Sequence, residues 1–518
     1  MKSQSLTQSM SWLHTWTGLV FGWLLFAIFL TGTLAVFDKE IDVWMRPEAP
    51  AHKVEQTQAA QRAIAYLQAN HANASAWNIS LPTQRSPDLT VSAGEQRRGG
   101  PRQYLDPATG QPISVRDSAG GGHFFRFHFT LNMPRNIGIW LVGFAAIGML
   151  VALFSSLIIH KKFFKEFFTF RPGKGQRSWL DAHNATGVLV LPFHLMITYS
   201  GLVIFSVIYM PAAVDALFDG DRQAAFGRGQ QQQQQGVRQG QRAEKPLTVA
   251  AELTSIGPVL IEAERVMGEI GSLSISKPGH SDAKIEVRPV LGNRIELTKG
   301  KSMTFAGVSA EILQQPEQNR GAMLTQRVIA GLHFAQFGGY PMRWLYFLCS
   351  FASCAMIATG LVLFTVKRRR RYDAEGLVGA WLYNVAERLN VAIVAGLSIA
   401  CIGYLWANRI LPVELAQRGS VEVQVFFGLW LLTLIHACCR PYLQAWREQL
   451  GVAALLCLVL PAVSAMTLTQ PWEEPIRLYL ELTAIICGAL LAFCAWRTGQ
   501  PKVQTTSRRQ ATTVAQVN

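Results

Sequence analysis

The sequence predicts an α-helical membrane protein that crosses the bilayer about eight times and carries two extramembrane α+β domains. Only 16% of its 518 residues are charged, whereas a soluble protein of this size carries about 25%. Its apolar residues are concentrated in blocks of roughly 20, the length needed to cross a hydrocarbon core of about 30 Å. A unit of helix, polar segment and helix also occurs twice along the chain. Together these observations exclude a soluble enzyme and a disordered protein.

The order of the apolar blocks gives the predicted organisation. The first block is too long for a signal-peptide core and no small-residue cleavage site follows it, so we expect it to remain as a helix. The eight predicted spans are residues 12–37, 137–160, 180–209, 342–365, 389–411, 421–439, 449–468 and 476–496. The predicted parts are a first helix (1–37), a first α+β domain (38–136), helices two and three with a basic loop (137–209), a second α+β domain with a Gln-rich insertion (210–341), helix four with a basic loop (342–371), four additional helices (372–500) and a tail (501–518).

The basic residues predict the orientation of the chain in the membrane. The net charge is +15, and many Lys and Arg residues lie in two short loops between spans. Short basic loops stay in the cytoplasm, whereas long loops translocate largely regardless of their charge. We therefore expect both termini in the cytoplasm and both long polar segments on the opposite side. Topology accounts for the basic excess, so nucleic-acid binding is not expected. The basic loops contain Lys161, Lys162, Lys165, Arg171, Lys174 and Arg177, and residues 367–371.

Each long polar segment has the pattern of a small α+β domain. In the first, helical periodicity over residues 54–68 precedes short strand-like runs and a turn signature from Tyr104 to Gly110. In the second, a helix is predicted over residues 259–267, and the Gln230–Gln235 tract predicts a disordered insertion. The predicted strands of the second segment are residues 273–276, 284–288 and 294–297.

The repeated unit is also visible in the spacing of individual residues. In spans one and three a histidine is followed by glycines four and eighteen residues later, so His14, Gly18 and Gly32 match His183, Gly187 and Gly201. A second histidine precedes span two (His128) and span four (His333), with a basic run 33 and 34 residues further on. The repeat ends there, because spans five to eight have no counterpart.

Histidines in or beside the spans are the main functional candidates, because ionisable side chains are costly in a bilayer. On a straight helix, His183 and His194 lie on one face, about 16 Å apart. This arrangement suits two stacked b-type haems, which need axial imidazoles, an apolar pocket and cations for their propionates. The glycines of the repeat are expected to admit the flat macrocycle. The ligand candidates are His14, His128, His160, His183, His194 and His333, and the propionate candidates are Arg126, Arg135, Arg327 and Arg343.

Other interpretations of these residues must be weighed against haem. A lone histidine in a span can serve packing, and zinc is the rival metal, although zinc sites usually add Cys or carboxylate ligands. Apart from Asp181, the histidine-bearing spans carry no carboxylate. Pro192 is expected to kink span three, and His436 is interpreted as structural. All eight cysteines lie in apolar blocks, which does not favour thiol chemistry. Four histidines are interpreted as solvated loop residues: His52, His71, His123 and His280.

Several motifs together carry a resemblance to a known family. They are Leu13-His14 with its glycine, Trp179-Leu-Asp-Ala-His183-Asn, Leu191-Pro-Phe-His194 and Leu332-His-Phe-Ala-Gln-Phe-Gly338. With the polar domain between spans, they resemble the PepSY-associated transmembrane family over about residues 10–370. This family includes iron-regulated inner-membrane proteins of bacteria and ferric-siderophore reductases. The resemblance implies periplasmic PepSY-like domains, haem b, and an enzyme that reduces a ferric siderophore by single electrons in the periplasm.

We therefore expect a dihaem protein of the bacterial inner membrane. For the cytoplasmic-side haem we expect His14 and His183 as ligands, with His160 as a substitute, and for the outer haem His194 with His333 or His128. No G-x-G-x-x-G fingerprint occurs in a cytoplasmic loop, so electrons are expected from a membrane quinol or a separate donor protein.

Two other functions remain open from the sequence. One is a non-enzymatic PepSY sensor or scaffold that regulates a protease. The other is a ferric-chelate transporter, although the spans lack the charged residues expected along a substrate pathway. The last four spans depart from the short, four-helix members of the family.

Overall fold

The computed structural model is a bundle of long helices with one β-sheet at one end. We call that end the sheet side and the opposite end the loop side. Predicted features outside the described residues include His52 and the Gln230–Gln235 tract. The described residues are 5–50, 54–94, 100–160, 171, 173–210, 212, 249–292, 294–298, 300–316, 321–372 and 376–500.

The long helices agree with the predicted membrane spans in number and order. In the described part of the chain, seven helices are long and apolar enough to cross a membrane, and a bent pair makes eight if it forms one span. The seven are α1 (Leu6–Ala35), α5 (Arg135–Ile159), α11 (Gly339–Tyr372), the continuous helix of α12 (Gly376–Val391), a π-helical segment (Ala392–Gly396) and α13 (Leu397–Ile410), then α14 (Arg418–Cys439), α15 (Tyr442–Thr467) and α16 (Pro475–Thr498). The prediction of a multi-pass membrane protein is therefore confirmed.

The third span is broken, which corrects one premise of the sequence analysis. Its two helices, α6 (Gln176–Leu189) and α7 (Leu191–Ile204), meet at Val190 and are bent by 66°. Pro192 lies in the first turn of α7, where its missing N–H costs no helical hydrogen bond. The expected kink is therefore confirmed. Because His183 and His194 lie on different sides of the break, the straight-helix estimate of their spacing does not apply.

The fifth span begins earlier than the hydropathy pattern predicted. The prediction began at residue 389, whereas the helix starts at Gly376 and includes Arg388 and Asn390. The guanidinium of Arg388 donates to the carbonyl of Ala437 at 2.8 Å. The amide of Asn390 donates to the carbonyl of Leu361 at 3.1 Å. Both polar side chains are therefore satisfied inside the helix packing, which removes much of the cost of placing them there.

Among the described residues, the two polar segments contribute to a single antiparallel sheet of eight strands. Its order is β4-β3-β2-β1-β5-β6-β7-β8, so each segment supplies four consecutive strands and β1 pairs with β5 at the centre. Ile79 of β1 lies opposite Leu273 of β5. The strands are β1 (Ala76–Ser80), β2 (Leu89–Gly94), β3 (Gln103–Leu105), β4 (Pro112–Ile113), β5 (Ile270–Ser276), β6 (Lys284–Pro289), β7 (Met303–Ala306) and β8 (Ile312–Gln314).

One face of the sheet is covered by two helices, α3 (Gln56–Asn70) and α9 (Ile256–Met267). Alternate strand residues turn toward these helices, as the two-residue period of a strand requires. Trp77 and Ile275, for example, are 2% and 0% exposed. The apolar residues of both segments thus form one core, in which Leu67 of α3 and Leu260 of α9 are also buried.

Most of the predicted elements of the sheet are present, with one exception. Both helices and the turn between Tyr104 and Gly110 are confirmed, since that turn joins β3 to β4. The predicted strand at residues 294–297 is wrong, because these residues form bends and the next strand is Met303–Ala306. A backbone bond from the N–H of Leu297 reaches the carbonyl of Arg327 at 3.0 Å, outside the sheet.

In the described part of the chain, four further short helices lie on the sheet side of the bundle. Two of them, α4 and α10, lead directly into the spans α5 and α11. The N-terminal half of the bundle packs α1 against both of these spans and α6 against α11. The short helices are α2 (Asp38–Met45), α4 (Gly122–Thr130), α8 (Ser206–Tyr209) and α10 (Gly321–Phe334).

The shared sheet can be tested by cross-linking its two central strands. Asn78 and Ser274 are register partners, and the hydroxyl of Ser274 donates to the Asn78 side chain at 2.9 Å. The double variant Asn78→Cys, Ser274→Cys should therefore form a disulfide under mild oxidation, because opposed strand residues satisfy the geometry of the bond. Peptide mass mapping under non-reducing conditions measures it. Asn78→Cys with Thr304→Cys, three strands apart, is the control, and equal cross-linking of both pairs would contradict the sheet order.

Candidate cofactor site

Two histidines from the short helices face each other on the sheet side. His128 lies on α4 and His333 on α10, and their ring centres are 6.0 Å apart. The Nδ1 atom of His128 is 2.8 Å from the carbonyl oxygen of Ile28 on α1. The Nδ1 atom of His333 is 3.0 Å from the carbonyl oxygen of Ile197 on α7. We call these two residues the sheet-side pair.

A second pair, with the same construction, lies toward the loop side. His14 of α1 and His183 of α6 have ring centres 6.1 Å apart. The Nδ1 atom of His14 is 2.9 Å from the carbonyl oxygen of Ala152 on α5, and that of His183 is 2.9 Å from the carbonyl oxygen of Met356 on α11. We call these residues the loop-side pair. In both pairs, each imidazole is held by a backbone carbonyl of a neighbouring helix.

These contacts determine the protonation of all four imidazoles. A carbonyl oxygen can only accept a hydrogen bond, so Nδ1 must carry the proton and Nε2 keeps its lone pair. Among the described residues, no hydrogen bond reaches Nε2 in either pair. Burial, with a smaller contribution from neighbouring His128, lowers the pKa of His333 to about 3 and thus favours the neutral ring. Metal-bound histidines usually have this arrangement, with the second ring nitrogen donating to a carbonyl.

The spacing within each pair suits one iron between two axial imidazoles. An iron–nitrogen bond is about 2 Å long and each nitrogen lies about 1 Å from its ring centre, so bis-imidazole ligation needs ring centres roughly 6 Å apart. The separations of 6.0 and 6.1 Å meet this requirement. The donor set of both pairs therefore fits a haem with two histidine ligands.

Glycines provide the space that the imidazoles occupy. A Cβ atom at Gly32 would lie 2.6 Å from Nδ1 of His128, and one at Gly201 would lie 3.0 Å from Cε1 of His333. A Cβ atom at Gly360 of α11 would lie 2.9 Å from Cε1 of His183. Gly32 and Gly201 therefore face imidazole rings, and their expected role in admitting a macrocycle stays a prediction. At Gly18, by contrast, no side chain and no neighbouring helix of the described residues lies within 4 Å of an added Cβ.

A cavity of about 780 Å³ opens beside the sheet-side pair. Its lining includes apolar side chains such as Ile28, Phe29 and Ile197, and it also includes loop residues of the sheet such as Ser86 and Gly292. This volume is in the range of small-molecule and cofactor sites, about 300–1,000 Å³. Basic side chains lie along its wall, namely Lys39, Arg85, Arg135 and Arg343.

Two of the four predicted propionate partners are thus at the cavity and two are not. Arg135 and Arg343 line it, and Arg343 is only 4% exposed. Arg126 and Arg327 are not among its lining residues. Sequence analysis missed Arg85, whose guanidinium binds both carboxylate oxygens of Glu40 at 2.9 and 2.7 Å. No local motif identifies Arg85, because it comes from the loop between β1 and β2, far from the spans in sequence.

His194 belongs to neither pair, which changes the expected ligation of the sheet-side cofactor. It is 0% exposed, and its Nε2 lies 2.8 Å from Oγ of Ser353. The Ser353 hydroxyl donates to the carbonyl of Cys349 at 2.8 Å, so its oxygen accepts the hydrogen bond from Nε2–H of His194. Nδ1 of His194 is the atom left with a lone pair, and this buried atom has no hydrogen-bond partner among the described residues. His333 therefore faces His128 rather than His194.

The remaining histidines differ in how far they are exposed to solvent. His160 follows the last residue of α5, toward the loop side. His123 is only 3% exposed and packs against Tyr404 and Phe426, so its interpretation as a solvated residue is wrong. Burial lowers its pKa to about 4. His71 and His280 are exposed, as expected.

His436, interpreted as structural, has two polar neighbours. Its Nε2 is 2.8 Å from a carboxylate oxygen of Glu448, and its Nδ1 is 3.1 Å from Nε2 of Gln449. Within the described ranges, no group of three or more His, Cys, Asp or Glu side chains is placed to hold a metal ion.

Comparison with known families gives a match over most of the chain. The sequence profile described as the PepSY-associated TM region matches residues 11–367. This range contains both histidine pairs, the cavity and the whole sheet, and it ends before α12. A search of curated proteins gives no match.

The contacts at the glycines predict how much stability each Gly→Ala variant should lose. Gly32→Ala should displace the imidazole of His128 and cost about 1–3 kcal/mol, because its Cβ overpacks the core. Gly201→Ala, with a longer contact, should cost less, and Gly18→Ala should be tolerated. Thermal unfolding of the three variants in detergent measures the order. Equal stability of Gly32→Ala and Gly18→Ala would contradict the packing of His128 against α1.

Proposed function

Because this chain belongs to the PepSY-associated transmembrane family, we propose that it is a dihaem ferric-siderophore reductase of the bacterial inner membrane. In this proposal, single electrons cross the membrane to a ferric siderophore in the periplasm and Fe(II) is released. The observation that carries it is the pair of facing, neutral imidazoles at each of two levels of the bundle.

The positions of the two pairs support an electron route across the membrane. On the continuous helix α1, His14 belongs to the loop-side pair and Ile28 binds the sheet-side pair. Fourteen residues of helix separate them, about 21 Å along the axis. This distance covers much of a hydrocarbon core of about 30 Å. One carrier at each level would divide the crossing into shorter electron transfers.

The residues present define what the protein contributes to this chemistry. Haem, when bound, supplies a one-electron carrier at each level. The Nε2 atoms of the four imidazoles would hold its iron, and Arg135 and Arg343 would neutralise propionates at the cavity. Siderophores hold Fe(III) through hard oxygen donors, and one added electron gives Fe(II), which these donors hold less well. The proton on Nδ1 stays on each imidazole, because Nδ1–H donates a hydrogen bond to the backbone carbonyl.

The basic residues support the orientation of the proposal. Arg171 and Lys174 precede α6 on the loop side, where Arg171 pairs with Asp181 at 3.0 Å. Lys367 lies near the C-terminal end of α11, on the same side. Short basic segments favour the cytoplasm. The sheet then lies in the periplasm, and a membrane quinol or a separate protein delivers electrons to the loop-side pair.

The haem content of purified variants tests the ligand assignment. The wild-type protein should bind two haems and show a reduced-minus-oxidised α-band of a b-type cytochrome. His333→Ala should lose the sheet-side haem and His183→Ala the loop-side haem, because each removes one axial ligand. His194→Ala should keep both haems, and His71→Ala is the exposed control. A wild-type protein without an α-band would refute the proposal.

Sealed liposomes test the direction of electron flow. The protein is oriented with the sheet side outside, a quinol is supplied, and a ferric hydroxamate with a ferrous trap is added outside. His333→Ala should abolish trapped Fe(II), because the sheet-side carrier is lost, while the loop-side haem should remain reducible. His71→Ala should reduce the chelate at the wild-type rate. Wild-type rates in His333→Ala would show that electrons do not pass through the sheet-side pair.

A further inference from the structure

The helices α12 to α16, residues 376–498, lie outside the range of the family match, which ends at residue 367. We call them the C-terminal unit. We propose that this unit clamps α4, the short helix that carries His128, and thereby sets the ligation of the sheet-side cofactor. The cofactor part of this inference rests on the proposed function, whereas the clamp itself is a property of the chain alone.

The first element of the clamp is a buried carboxylate of the C-terminal unit. Glu422 of α14 accepts hydrogen bonds from the hydroxyl of Ser118 at 2.8 Å and from the N–H of Ala119 at 3.1 Å. These residues belong to the loop that precedes α4. Arg418, one turn earlier on α14, pairs with Glu422, and both side chains are 0% exposed. The amide of Asn408 on α13 donates to the same carboxylate at 2.7 Å.

The second element holds the backbone at the start of α4. The hydroxyl of Tyr404 on α13 donates to the carbonyl of Gly120 at 2.8 Å. From the other side, the N–H of Gly121 donates to a carboxylate oxygen of Asp42 on α2 at 3.0 Å. The loop has no room for a larger residue, because a Cβ atom at Gly121 would lie 2.0 Å from the carbonyl oxygen of Asp38. The entry into α4 is thus held between α2 and the C-terminal unit.

The third element is aromatic packing along α4 itself. The ring centre of His123 lies 4.9 Å from the ring centre of Tyr404 and 4.8 Å from that of Phe426. The ring centre of Phe127 lies 5.7 Å from that of Phe426 and 5.9 Å from that of Trp430. His123 and Phe127 are four residues apart, so they share one face of the helix. His128 projects from a different face, toward α1 and its partner histidine.

The corresponding helix of the second segment is held differently. The backbone of Arg327 in α10 accepts a bond from Leu297, and the carbonyl of Leu332 accepts one from Tyr346 of α11. Both partners lie within the range of the family match. A disturbance of the C-terminal unit should therefore act on His128 and leave His333 and the loop-side pair in place.

Removing the buried charge tests the clamp. Glu422→Gln keeps the shape of the side chain but leaves Arg418 uncompensated, which is costly in a buried site. Tyr404→Phe, a milder variant, removes only the hydrogen bond to Gly120. Glu414→Gln, an exposed carboxylate between α13 and α14, is the matched control. All three are made in the full-length protein.

The first measurement is hydrogen–deuterium exchange of residues 116–130 in haem-depleted protein. Glu422→Gln should raise exchange in this segment at least tenfold, Tyr404→Phe should raise it less, and Glu414→Gln should not change it. Exchange in α10 should stay at the wild-type rate. Unchanged exchange of residues 116–130 in both clamp variants would overturn the proposal.

The second measurement is redox titration of the haem-loaded protein. The clamp variants should shift the midpoint potential of the sheet-side haem, or lose that haem, while the loop-side haem keeps its potential. Equal shifts of the midpoint potential at both haems would overturn the proposal that the C-terminal unit positions His128. Faster exchange in a protein that binds no haem would retain the clamp and refute the proposed function. If the clamp variants bind two haems with wild-type potentials and show unchanged exchange of residues 116–130, the clamp is refuted and the proposed function is retained.

Discussion

The hydrogen bond from an imidazole Nδ1 to a backbone carbonyl is the interaction on which the rest of the structure depends. It ties α4 to α1 through His128 and Ile28, and α10 to α7 through His333 and Ile197. The same bond at the loop-side pair ties α1 to α5 and α6 to α11. Each bond satisfies a buried polar group at Nδ1 and leaves the lone pair of Nε2 available. The geometry that packs the helices is therefore the same geometry that the proposed haem ligation would need.

The two halves of the N-terminal bundle are joined at three levels. The central pairing of β1 with β5 joins them in the sheet, and the two histidine pairs join them within the helices. The halves are not identical, however. His194 occupies the position that the repeat spacing assigns to Leu25 in the first half, and it bonds to Ser353 instead of facing another histidine. The asymmetry continues outside the family range, where the C-terminal unit contacts α4 through buried charges and aromatic rings.

The C-terminal unit shows how charged residues are accommodated at the end of a helix bundle. Arg409 of α13 lies over the ring of Trp44 at 3.6 Å and donates to its carbonyl at 2.7 Å. The indole N–H of Trp44 donates in turn to Glu481 of α16 at 3.0 Å. Because each of these groups is costly to bury alone, they are placed where several helices supply partners at once. The hydrophobic pattern of the sequence does not predict these partners.

Much of the architecture could be predicted from the sequence. The spans, their order, the helix of each polar segment and the kink at Pro192 depend on local composition and spacing, which are written along the chain. The repeat also identified His14 with His183 and His128 with His333 as equivalent residues. It led us to expect His14 and His183 at one site, and these two residues do face each other. It did not decide whether His333 faces His194 or His128. The 16 Å estimate for His194 assumed a straight helix, and the 66° break at Val190 removed that assumption.

The tertiary structure decided the features that depend on contacts between distant segments. Only the folded chain shows that the two polar segments form one sheet, that His123 is buried, and that Arg85 reaches the cavity wall. The physical reason is the same in each case. Hydropathy and periodicity record what a residue contributes to its own helix or strand, whereas a hydrogen bond, a pair of facing rings or a buried charge is defined by a partner elsewhere in the chain.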